Sequence, residues 1–183
     1  MGTGKTKTAI DNIGYLYLRK EIDTVLIIAP KSVYTIWSKE IQAHLPDVVG
    51  RDIFQWKLDK PKSWNFFLKS KKLKIFLMNV EALSGKNGYK EAESFLKKFP
   101  KNFAVIDEST TIKNPKAKRT KYILSLSKHI KFRRILTGSP VTKSPLDLYS
   151  QCYFLDPKLL GFESFYSFRN RYAEMHQIQM GAN

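Results

Sequence analysis

A single cysteine, Cys152, stands in 183 residues, so no internal disulfide can form and a reducing cytoplasm is the natural setting. Histidines number three, and His44, His129 and His176 are scattered without ligand spacing, which leaves a zinc-type site unsupported. No apolar run approaches the roughly 18 residues that a bilayer span requires. The N-terminus shows no charged region leading into an apolar one, so a secretory signal is not expected. No basic amphipathic stretch carries a clean apolar face, which disfavours a membrane-surface partner. Repeats and low-complexity segments are absent as well.

Acidic residues are the telling shortage. Sixteen of them face 32 lysines and arginines, a formal charge of +16. Such a surplus suits a polyanionic partner, nucleic acid being the commonest, although lysine also serves plain solubility. Clustering favours the first reading: 12 lysines fall between Lys57 and Lys101, against Asp59, Glu81, Glu91 and Glu93. The remaining composition, 43% hydrophobic and 13% aromatic over 183 residues, is enough to bury one domain's core.

Short apolar runs alternate with helical periods, the pattern of a mainly parallel sheet covered by helices. Residues 5–20 repeat apolar side chains at helical spacing, through Ala9, Ile10, Ile13, Leu16 and Tyr17. Strands are expected at 24–29, stopped by Pro30, at 72–78, at 103–106 and at 134–137, with a looser one over 48–56. Ser32 is placed to cap a helix whose inner face is Val33, Ile36, Trp37 and Ile41. Residues 85–88 read as a turn or flexible loop, and 116–130 as a helix. Ser144-Pro145 opens another helix, with proline at its first position.

Three motifs fall at the C-terminal ends of these strands, the edge where open α/β sheets bind ligands. Gly2, Thr3, Gly4, Lys5 and Thr6 form a phosphate-binding loop: backbone N–H groups wrap phosphates, lysine reaches the β/γ oxygens, and the threonine hydroxyl meets Mg²⁺. Its usual preceding strand would lie upstream of Met1, which reads as a truncated copy. Asp107 and Glu108 leave the third confident strand, where an aspartate can hold Mg²⁺ and a glutamate can polarise an attacking water. Two carboxylates there would equally suit helix capping. Thr137, Gly138 and Ser139 leave the fourth strand as a tight elbow able to sense a nucleotide, or as an ordinary strand exit.

Taken in order, Gly-Thr-Gly-Lys-Thr, Ile-Ala-Pro-Lys-Ser-Val-Tyr-Thr-Ile-Trp, Ile-Asp-Glu-Ser-Thr-Thr-Ile-Lys-Asn and Leu-Thr-Gly-Ser-Pro-Val resemble motifs I, Ia, II and III of superfamily-two helicases. The branch they resemble most is that of the SWI/SNF-related DNA translocases, through Ile112-Lys113-Asn114 and Pro145-Leu146-Asp147-Leu148-Tyr149. The likeness covers Met1 to about Pro157. It implies an α/β, RecA-like (P-loop NTPase) three-layer sandwich over residues 1–157, and a helical tail, 158–183, leading toward a second domain that this chain lacks.

The resemblance further implies ATP and Mg²⁺ as cofactors and DNA as partner. Gly4, Lys5 and Thr6 would hold phosphate, Thr6 and Asp107 the metal, and Glu108 would be the general base. Thr137, Gly138 and Ser139 would couple nucleotide state to the nucleic-acid face, and Pro30, Lys31 and Ser32 would touch the sugar-phosphate backbone. Asn79 to Leu83 falls where a second backbone contact is expected, a weaker match. Trp37 also fits the family pattern but reads as packing.

Two departures stand out. Ser109-Thr110 replaces the usual small residue and histidine after the acidic pair, and Ser139 replaces threonine. The family's arginine finger, worth about 10³ to 10⁵ in rate, comes from the second domain.

The leading expectation is therefore the ATP-binding half of a DNA helicase or translocase, weak or inactive alone and completed by a second domain, which a separate gene could encode. Its expected setting is the cytoplasm of a bacterial or phage-infected cell, at the nucleoid. The alternative is a non-hydrolysing nucleic-acid-binding or partner-binding module derived from such a domain. A small-molecule kinase would leave the basic surplus and the Thr137–Ser139 elbow unexplained.

Overall fold

The computed structural model describes residues 4–59 and 62–173. Five parallel strands, β1 (Thr24–Ala29), β2 (Arg51–Gln55), β3 (Leu73–Asn79), β4 (Asn102–Asp107) and β5 (Phe132–Leu136), form one sheet in the order β2-β3-β1-β4-β5. The three central strands are buried almost end to end, which explains their continuous apolar runs. Both outer strands, β2 and β5, are only half-buried.

Strand side chains alternate between faces, and that alternation divides the core in two. Val25, Ile27, Ala29, Ile75, Leu77, Phe103 and Val105 meet α1 (Lys5–Leu18) and α2 (Tyr34–His44), through Ile10, Ile13, Trp37 and Ile41. Leu26, Ile28, Phe76, Met78, Ala104 and Ile106 meet α3 (Lys62–Lys69), α4 (Lys86–Lys98), α5 (Lys118–Ser127) and α6 (Leu148–Leu155). On that second side Trp64, Phe67, Phe76 and Phe95 form an aromatic cluster with ring centroids 4.9 to 6.5 Å apart. The expected three-layer α/β sandwich is what the chain adopts. A short helix, α7 (Phe165–Tyr172), follows with a capping box at Ser164 and Ser167. Of the expected tail, residues 174–183 lie outside the described residues.

Three local expectations are corrected. Ser32 does not cap α2: it sits in a 3-10 turn, Lys31–Val33, and the helix opens after Val33 with no side-chain cap. Ile36 faces outward, 47% exposed, because it lies about 100° around the helix from Trp37 and about 140° from Ile41, the two residues that point inward. Residues 85–88 are not a free turn, since Lys86 already begins α4. Gly88 is there because the helix crosses the preceding turn so closely that a Cβ would lie 2.2 Å from the Ala82 carbonyl oxygen.

Candidate functional site

Because all five strands run parallel, the segments that follow β1, β4 and β5 emerge at one edge. Register ties them together: Ile28 pairs with Ile106, and Asp107 pairs with Leu136. Neighbouring strands lie about 4.8 Å apart, so Pro30, Asp107 and Thr137 leave the sheet side by side.

At this edge α1 begins. Gly4 is its N-cap, in the left-handed region at φ 75°, with nothing within 4 Å of where a Cβ would stand. The first ladder bond is Thr8 N–H to Gly4 O at 2.9 Å, and the Thr8 hydroxyl donates to the same oxygen. No side chain caps the helix, and no acidic residue occupies its first turn. Its leading N–H groups and positive dipole end therefore suit an anion. Lys5 and Thr6 stand in that turn, half-buried. Gly2 and Thr3, the loop's other two expected residues, lie outside the described residues.

Asp107 closes β4 on the face shared by Phe103 and Val105, toward α1 and α2. Both its carboxylate oxygens are held. Oδ2 accepts the indole N–H of Trp37 at 2.9 Å, and Oδ1 accepts the Glu108 N–H at 3.0 Å. Trp37 is 1% exposed, so packing fixes its ring, and the ring in turn fixes the aspartate. By sequence alone Trp37 reads as packing. The signal that pointed further was chemical, since a buried indole N–H needs a partner. Glu108 is exposed and adopts φ 50°, ψ 61°, a left-handed conformation costly for a residue with a Cβ. It heads a 3-10 turn, Ser109–Ile112, so the chain bends sharply there while its carboxylate faces outward.

A cleft of about 660 Å³ joins the first and third motifs, lined by Lys5, Thr8, Asn12, Thr137 and Pro140 among others. The expected elbow is present: Thr137 Oγ1 accepts the Ser139 N–H at 3.2 Å, and Ser139 Oγ donates to Val141 O at 2.9 Å. Gly138 and Ser139 are exposed. A hollow of similar size between α5 and α6, bordered by Lys121, Lys128 and Arg133, contains none of the residues of the three strand-end motifs. Among the described residues, no group of three or more His, Cys, Asp or Glu could cage a metal. A cation held by Thr6 and Asp107 would draw further ligands from phosphate oxygens and water, the usual habit of Mg²⁺.

Pro30 is half-buried, with its carbonyl accepting the Val33 N–H, while Lys31 and Ser32 are exposed beside it. The weaker match at 79–83 is largely structural. Asn79 Oδ1 caps the following turn by accepting the Ala82 N–H at 2.6 Å, and Val80 and Leu83 are buried. Beyond β5, Asp147 gathers the loop: its Oδ2 accepts from Thr142 Oγ1 at 2.7 Å and from the Thr142 and Lys143 N–H groups at 3.0 Å. The Thr142 hydroxyl contributes most to holding its pKa down, from 3.8 to about 2.

A family model described as the SNF2-related domain matches residues 1–180. A Xenopus tropicalis protein, "SWI/SNF-related matrix-associated actin-dependent regulator of chromatin subfamily A-like protein 1", is 31% identical over 99% of the chain and 17% of its own length. "Probable ATP-dependent DNA helicase CHR23" of Arabidopsis thaliana is 28% identical over 92% of the chain and 15% of its length. A solved structure, "Sulfolobus solfataricus SWI2/SNF2 ATPase core in complex with dsDNA", superposes with a TM-score of 0.68 at 29% identity, covering 93% of this chain and 32% of that one. The chain thus spans about a sixth of these curated relatives. The relatives named here are eukaryotic and archaeal, and lend the expected bacterial or phage setting no support. No described helix is long and apolar enough to cross a membrane.

Proposed function

The chain belongs to the SNF2-related domain family, and from that premise we propose that it is the ATP-binding half of an ATP-dependent DNA translocase, acting with a second RecA-like domain. The observation that carries this reading is the convergence of the α1 N-terminus, Asp107-Glu108 and the Thr137–Ser139 elbow on one sheet edge, two of them lining one cleft. Backbone N–H groups from Gly4 onward and the Lys5 ammonium bind the phosphates. Thr6 and Asp107 are the residues to hold Mg²⁺, which when bound neutralises phosphate charge. Glu108 takes the proton of the attacking water. Thr137, Gly138 and Ser139 transmit the state of the cleft, and Pro30, Lys31 and Ser32 meet the DNA backbone.

Residues 1–157 constitute the nucleotide-binding unit in this reading, and 158–183 the passage toward the second domain. Without the charge that a finger from a second domain supplies, residues 1–183 taken by themselves turn over ATP weakly or not at all. Lys5→Ala separates this from the alternative of a non-hydrolysing binding module. Loss of ATP binding with DNA binding retained supports the motor reading. If neither changes, the loop is a relic and the reading fails.

A further inference from the structure

Gln151 lies on α6, outside all four motifs, and is fully buried at 0% exposure. A buried amide must place two donor hydrogens and an acceptor oxygen. Gln151 places all three. Its Nε2 donates to Pro140 O and to Asp147 O, each at 2.7 Å, and its Oε1 accepts the Ser109 hydroxyl at 2.6 Å.

The partners matter more than the count. Ser109 is also 0% exposed and directly follows Glu108. Pro140 directly follows Ser139, and Asp147 closes the loop that begins there. A second tie runs outside the first: Lys113, at the end of the turn after Glu108, donates to Thr142 Oγ1 and stands 3.7 Å from the Asp147 carboxylate. That same carboxylate holds Thr142 and Lys143. The segment 108–113 and the loop 137–147 are therefore bonded together at two places, one dry and one at the surface. Neither can shift alone without stranding buried polar groups.

We propose that Gln151 is a positioning residue that joins the Glu108 segment and the Ser139–Asp147 loop into one unit. Through that unit, nucleotide at the cleft and nucleic acid at the exposed edge alter each other's affinity. The proposal rests on the nucleotide and DNA binding argued above, and adds to it the part that carries the signal. Ser109, unusual at its position in the family pattern, is the hydroxyl that Gln151 requires.

The test is the dissociation constant of the chain for a non-hydrolysable Mg–ATP analogue, with and without saturating double-stranded DNA. It is run on the wild type, Ser109→Ala, Gln151→Leu and the double variant, with the unfolding midpoint of each recorded. The wild type should show a ratio of about tenfold, within the usual range of coupling between sites. In the double variant, which replaces the Ser–Gln pair by an apolar one, each ligand alone should bind within about twofold of wild type, and the ratio should fall toward one. Ser109→Ala, which removes one bond, carries the comparison if Gln151→Leu does not fold. A folded variant that keeps the full ratio overturns the proposal, as does a wild type that binds both ligands without coupling. A wild type that binds no nucleotide overturns the functional reading, and this inference with it.

Discussion

Trp37→Phe keeps an aromatic ring in a buried slot and deletes one N–H. Two losses follow. The bond to the Asp107 carboxylate is charge-assisted, and such bonds contribute about 1.5–3 kcal/mol. The smaller ring also leaves roughly 40 Å³ unfilled, about 1 kcal/mol at about 24 cal/mol per Å³. Trp37 is 1% exposed and packed between α1 and the sheet, so little relaxation is available, and the sum is about 2.5–4 kcal/mol. Chemical denaturation followed by circular dichroism measures it, since Trp56 and Trp64 confuse a fluorescence signal. A cycle with Asp107→Ala isolates the bond from the void and should return a coupling of about 1–2 kcal/mol. Coupling below about 0.3 kcal/mol, within the scatter of independent sites, would refute the claim that Trp37 orients Asp107. Trp37 would then be packing alone.

Gly88→Ala forces a Cβ to 2.2 Å from the Ala82 carbonyl oxygen, so α4 must move; thermal unfolding should show a loss of more than about 2 kcal/mol, and a neutral result would contradict the close helix crossing. Asp147 has a folded pKa near 2 against an ordinary 3.8, so folding favours its ionised form. Its stabilisation is complete above the ordinary value and is lost as pH falls through about 2. It amounts to on the order of 2 kcal/mol, and Asp147→Asn should flatten the acid limb of a stability-against-pH curve between about pH 5 and 2. Lys31→Ala should weaken DNA binding about equally across sequences and reduce the slope of log affinity against log salt by about one; an unchanged slope removes Lys31 from the phosphate contacts.

Much of this architecture was legible in the residues. The central strands announce themselves because burial on both faces demands unbroken apolar runs, as in Val25 to Ala29 and Phe103 to Ile106. Motif residues at strand ends were readable because parallel sheets place their ligands there. What escaped were matters of rotation and long-range pairing. Ile36 faces outward because α2 packs on the line of Trp37 and Ile41, a narrower face than its run of apolar residues suggests. Gly88 looked like a turn residue because its real constraint, the Ala82 carbonyl, comes from the preceding 3-10 turn. Two contacts at the candidate site, Trp37 with Asp107 and Gln151 with Ser109, join residues 70 and 42 positions apart. No local pattern encodes such a pair, although each buried polar group implied that a partner existed.

In the proposed reading, Lys5, Thr6 and Asp107 make one Mg²⁺–nucleotide site. Calorimetric titration of the chain with ATP, with Mg²⁺ present and again with it chelated, probes that site itself. Affinity for the wild type should drop about tenfold or more on chelation, an effect of at least about 1.4 kcal/mol. Lys5→Ala should abolish binding, and Asp107→Ala should bind equally weakly with and without the metal. Wild-type binding that is indifferent to Mg²⁺ and survives Lys5→Ala, or no binding at all, would rule that site out.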